Sequence, residues 1–211
     1  MKKLLTILGL LLLLITFVGC KPNPDPDPDP DPDPNPNGEV DILLAAKWNE
    51  ALKDKKIYLT TCGQADIDIV ENLLRVAGLT TDSYTRNHLL EAKDVEEGSV
   101  VLLVVGSSGK GLGAAGTDVN QENARAQAFA TKANKGSITV ILFHIGGVAR
   151  RGDLSDTVIT SAANGSSLML VVKTGNADNL FTNLVTAERE LYLYSATAKI
   201  LPAIKFLFGL E

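Results

Sequence analysis

The chain has 211 residues, 45% of them apolar, with 20 Lys plus Arg against 25 Asp plus Glu and a net charge of −5. Mild acidity, without a basic stripe or interleaved aromatics, excludes nucleic acid as a partner. Two cysteines and two histidines, with no CxxC or HExxH spacing, exclude a dedicated transition-metal site, and no motif asks for a cofactor.

Met1, Lys2 and Lys3 open the chain with positive charge, and Leu4 to Val18 is an almost unbroken apolar run. That length and flank predict a secretory signal peptide rather than a spanning helix. The run ends in Phe17-Val18-Gly19-Cys20, which resembles the lipobox of bacterial lipoproteins, with Phe17 where Leu is usual. The resemblance implies cleavage of residues 1–19, lipidation of Cys20 and residence on the extracytoplasmic face of the cell membrane. Two or three acyl chains anchor a protein stably where one does not. Residues 20–38 hold eight of the nine prolines, alternating with Asp and Asn. Proline fixes φ and removes the amide donor, so neither helix nor sheet is expected there. At about 3.1 Å per residue the segment is a spacer of about 50 Å.

Residues 39–211 are expected to form one domain, with 17 Lys plus Arg against 20 Asp plus Glu. Asp41 to Lys53 reads as a helix with Leu44, Trp48 and Leu52 on one face. Lys56 to Thr61 reads as a strand, followed by a helix that Asp66 caps and Gly78 closes. Thr80 to Tyr84 is a short second strand, and Leu89 to Glu97 a weakly helical or irregular crossover. Ser99 to Val105 is a third strand, apolar on both faces as in a covered parallel sheet. Asp118 with Gln121 reads as a capping box for a helix to about Asn134. A fourth strand, Ser137 to Ile145, leads to a helix from Asp153 to about Ala163 and a fifth strand, Ser167 to Lys173. A helix over Asp178 to Ala187, a sixth strand over Glu190 to Ser195 and a last helix over Ala196 to Leu210 complete the chain. Pro202 inside that helix predicts a kink or restart.

This alternation predicts an α/β fold, a three-layer, open, doubly wound parallel sheet of about six strands. It is flavodoxin-like with strand order 2-1-3-4-5-6, or Rossmann-like with 3-2-1-4-5-6. Ligands of such sheets bind outside the carboxyl ends of the strands. The turns expected there carry Cys62, Gly63 and Gln64; Gly106, Ser107, Ser108, Lys110, Gly111 and Gly113; and His144, Gly146, Gly147, Arg150 and Arg151. The glycine-rich stretch from Gly106 to Gly116 reads either as a backbone cradle for an anion or as a surface loop of small residues. Arg150 and Arg151 read either as an anion clamp or as partners of Asp153 and Asp156. Cys62 and His144 could form a nucleophilic pair if a helix end lowers the thiol pKa. The alternative is a small buried thiol beside a hydrogen-bonded histidine.

Three ordered motifs, Thr61-Cys62-Gly63-Gln64, Gly109 to Gly116, and His144-Ile145-Gly146-Gly147 with Arg150-Arg151-Gly152 and Leu154-Ser155-Asp156, resemble an uncharacterised bacterial family. It is a domain of unknown function often found with a signal peptide or lipobox. The resemblance covers about Lys56 to Phe208, implies an α/β fold and supplies no activity. The expected function is a membrane-anchored domain binding a small anionic ligand as an accessory to a transporter. Two alternatives stand beside it: a thiol-dependent or hydrolytic enzyme using Cys62 and His144, and a partner-binding surface lipoprotein.

Overall fold

A computed structural model describes residues 44–210. The expected signal peptide, Cys20, the linker and the first residues of the helix expected from Asp41 lie outside them. The elements run β1 (Ile57–Cys62), α1 (Ile67–Ala77), β2 (Thr85–Arg86), β3 (Val100–Val105), α2 (Gly109–Ala115), α3 (Val119–Asn134), β4 (Thr139–His144), α4 (Asp153–Ala163), β5 (Leu168–Val172), β6 (Glu190–Tyr194) and α5 (Leu201–Phe208).

All residues of β3 are buried, and its alternating side chains feed two separate cores. Val100, Leu102 and Val104 join Leu59, Ile141, Phe143 and Leu170 beneath α1 and α5. Val101, Leu103 and Val105 join Tyr58, Leu142, Met169 and Val171 beneath α3 and α4. A period of two on strands buried from both sides produces this division. The sheet has the order β2-β1-β3-β4-β5-β6 and every pairing is parallel. The three-layer α/β fold is therefore as expected, and its order is the flavodoxin-like one. The chain turns from β1 outward to β2 and then crosses back to β3, so the switch point lies between β1 and β3.

Four expectations need correction. The segment read as a helix over Asp41 to Lys53 holds, in its described part, only a 3₁₀ turn at Ala46–Trp48. Glu50 and Asp54 adopt positive φ there, and Glu50 and Leu52 donate their amides to Phe206 and Leu207 of α5. Those tertiary bonds replace a helical ladder. The second strand lies at Thr85–Arg86, because Thr80 and Ser83 cap a 3₁₀ turn over the residues read as strand. The stretch Asp178 to Ala187 is not an α-helix. The Asn176 side chain takes the amides of Phe181 and Thr182, and only a 3₁₀ turn at Thr182–Leu184 forms. Finally, the glycine-rich stretch is not a loop: residues 109–115 form α2, which the Ser108 side chain caps. The Asp118–Gln121 capping box and the restart at Pro202 are both present.

Candidate functional site

The turns after β1, β3, β4 and β5 meet on the carboxyl edge of the sheet. Gln64 forms an antiparallel bridge with Ser107. The Ser107 amide donates to the Ser155 hydroxyl at 2.8 Å and its own hydroxyl to the Leu154 carbonyl at 3.1 Å. Arg150, beyond β4, donates from Nε to both carboxylate oxygens of Asp66 at 3.1 and 3.2 Å. Arg151 reaches the Gly175 carbonyl beyond β5. Convergence on one edge is thus as the sequence predicts, but the turns spend their polar groups on each other.

The two arginines are corrected as a free clamp. Arg151 donates to Asp156 from Nε at 2.7 Å and Nη2 at 3.1 Å, and to Asp178 from Nη1 at 3.0 Å and Nη2 at 2.8 Å. Its guanidinium also lies over the Phe181 ring. These bonds raise the Arg151 pKa further and hold Asp178 down to about 2. Arg150 is one-third exposed and is held by a nearly buried Asp66. Gly146 lies under that pair, where an added Cβ would meet the Arg150 and Asp66 side chains, and a Cβ on Gly147 would meet the Thr174 side chain.

Gly63 and Gly111 serve close packing, whereas a Cβ added at Gly109, Gly113 or Gly116 would meet nothing within 4 Å. Gly63 has φ of +101°, and a Cβ there would stand 2.3 Å from the Gly106 carbonyl oxygen. A Cβ on Gly111 would stand 2.1 Å from the Gln64 carbonyl oxygen. Only glycine lets α2 and the turn after β3 approach the turn after β1 this closely. Neither Gly111 nor Gly113 therefore belongs to a phosphate loop; both lie within α2. Lys110, on the same helix, is exposed.

Cys62 and His144 are both wholly buried. Burial pushes the Cys62 thiol up to about 12, and the nearby Arg125 only partly offsets it. A thiol in that state is a poor nucleophile near neutral pH, which agrees with the reading of Cys62 as a small buried thiol rather than an activated one. His144 has Nδ1 at 3.0 Å from the Val105 carbonyl and Nε2 at 3.1 Å from the Gly147 carbonyl. A neutral ring has one N–H, so it donates to one of these and turns a lone pair to the other. Burial dominates and lowers the His144 pKa; the two carbonyls and Asp66 oppose it, and Arg151 assists.

A pH consequence follows from that direction. On acidification the unfolded chain takes up a proton on His144 before the folded one does. The stability due to its neutral form is fully present above the unfolded value of about 6.5 and declines below it. Urea midpoints should fall as the pH drops below about 6.5, and His144→Gln should flatten that slope. An equal slope in the variant would refute the assignment.

The sequence reading missed the charge pair beneath the turn after β1. Glu122 is wholly buried on α3 and accepts from the Gly63 amide at 2.8 Å and Gln64 Nε2 at 3.0 Å. Arg125 Nη1 reaches both its oxygens at 2.8 Å. Arg125 Nη2 donates to the Thr60 hydroxyl and to the His88 and Leu90 carbonyls, and Nε to Leu90 again. Glu122, Arg125, Ala126 and Phe129 fall on the inward stripe of α3. A Glu and an Arg three apart on an otherwise apolar stripe were the available signal.

Beside this pair lies a cavity of about 460 Å³, bordered by Leu89, Glu91, Ala115–Thr117, Gln121, Ala124 and Arg125. It stands between the segment following β2 and the junction of α2 with α3, next to the β1/β3 switch point. A model of a family described as a domain of unknown function (DUF6305) matches residues 54–208. The chain belongs to this family. The DUF6305 match spans every strand and all of α1 to α5. No curated protein and no solved structure matches the chain.

Proposed function

We propose that this DUF6305 protein is a lipid-anchored extracytoplasmic lipoprotein whose α/β domain binds a small molecule without transforming it. The observation that carries the reading is the cavity of about 460 Å³ on the carboxyl edge, beside the switch point where open α/β sheets receive ligands. Arg125 on its wall is already fixed by hydrogen bonds to the buried Glu122 before any ligand arrives. Preorganisation of that kind lowers the cost of binding. The lipobox-like Phe17-Val18-Gly19-Cys20 supports the anchor, and delivery of the ligand to a transporter in the same membrane accompanies this reading. Burial of Cys62 and His144 speaks against the thiol enzyme. An anionic ligand was expected from Arg150 and Arg151, and both are now paired to carboxylates.

Thermal unfolding of the full chain in detergent, against a panel of small cations, anions and neutral compounds, tests the reading. A ligand at a hundredfold excess over its Kd stabilises by about 2.7 kcal/mol, which raises the unfolding temperature by roughly 5–10 °C. Ala124→Trp, on the cavity wall, should fold and lose that response. A panel without a stabiliser, or one whose effect survives Ala124→Trp, refutes the site.

A further inference from the structure

Resting on the cavity reading above, we infer that the ligand is a cation: a small amine or guanidinium compound with an apolar body, its charge facing Glu91. The wall carries one carboxylate, Glu91, and one guanidinium, Arg125, whose charge is already matched from behind by Glu122. Arg125 is 6% exposed, and all three of its nitrogens donate within the fold, to Glu122, Thr60, His88 and Leu90. An anionic ligand would have to compete with these acceptors for its donors. The Arg125 charge is matched at 2.8 Å by the wholly buried Glu122. Glu91 stands farther off, 4.0 Å from Arg125 Nε, with its side chain 46% exposed. It is the surplus negative charge of the three and the one open to the cavity.

The end of α2 acts in the same sense. The last four carbonyls of a helix have no partner within it. Those of Leu112 and Gly113 accept from the amides of Gly116 and Thr117. The carbonyls of Ala114 and Ala115 lie beyond those bonds, and Ala115 borders the cavity. A carbonyl end favours positive charge. Leu89, Ala115 and Ala124 supply the apolar walls.

Benzylamine, benzyl alcohol and benzoate share a shape and differ in charge, and agmatine adds a guanidinium. Each is titrated against the full chain in detergent, with unfolding temperature and calorimetry as readouts. Benzylamine or agmatine should bind most tightly, lose roughly threefold to fivefold in affinity in Glu91→Gln, and lose binding altogether in Ala124→Trp. Benzoate or benzyl alcohol binding best, with loss in Ala124→Trp, would overturn the cation and leave the cavity reading standing. A cation whose affinity ignores Glu91→Gln would also overturn the inference. Failure of all four probes, or binding indifferent to Ala124→Trp, would overturn both.

Discussion

Glu122→Ala is expected to destabilise the domain by about 3–5 kcal/mol, the cost of leaving a buried partner charge uncompensated. For a domain of this size that lowers the unfolding temperature by roughly 6–20 °C. The loss exceeds that of an ordinary ion pair because Glu122 serves two parts of the fold. It neutralises Arg125 within α3 and accepts the Gly63 amide and the Gln64 side chain from the turn after β1. Removing it strands a charge and a buried amide together. Arg125→Met with Glu122→Leu should recover part of the loss, since apolar substitutes can replace a buried pair. Recovery should be incomplete, because the His88 and Leu90 carbonyls lose their donor. Chemical unfolding of the two single variants and the double variant checks this. A Glu122→Ala loss below about 1 kcal/mol, the level of an exposed pair, would refute the structural role.

Gly63→Ala should cost about 3 kcal/mol or more, from two causes that a second glycine separates. Gly63 and Gly78 have nearly the same φ, +101° and +108°. An added Cβ at Gly78 meets no heavy atom within 4 Å, whereas at Gly63 it stands 2.3 Å from the Gly106 carbonyl oxygen. Gly78→Ala thus measures backbone strain alone, about 1 kcal/mol. The excess at Gly63 measures the contact between the turns after β1 and β3. Equal losses at the two positions would mean that the turns part freely, against the close approach of Gly63 to Gly106.

Much of the architecture was legible in the sequence because its signals are local. Continuous apolar runs at Ser99 to Val105 and Ser137 to Ile145 marked strands covered on both faces. Gly78, the Asp118–Gln121 pair and Pro202 marked helix ends through backbone chemistry that neighbours cannot override. The failures share a different cause. The segments at Asp41 to Lys53 and Asp178 to Ala187 have helical patterning, yet the amides of Glu50 and Leu52 go to α5 and those of Phe181 and Thr182 to the Asn176 side chain. Propensity is a weak prior against such tertiary bonds. The glycines from Gly109 to Gly116 suggested a loop by composition, but the Ser108 cap and close packing against Gln64 make a helix the lower-energy choice.

The candidate site was legible only in outline. The sequence brought the correct turns to one edge, and Gln64 and Ser107 do meet there. It could not show that Asp66, sited as an N-cap, would turn its carboxylate to Arg150 instead of to the helix. Nor could it show that Arg151 would be claimed by Asp156 and Asp178 together. Pairings across 27 or 84 positions of chain depend on the finished fold.

The described chain begins on the edge opposite these turns. Trp48 bonds through its indole to Glu190, the first residue of β6, and the amides of Glu50 and Leu52 are received by α5. Tension reaching Leu44 would meet that seam at the start of β6, the far edge strand of the sheet from β1 and β2. If the chain is anchored as proposed, that seam would act as strain relief, in the manner of a cable clamp, between the anchor and the rim.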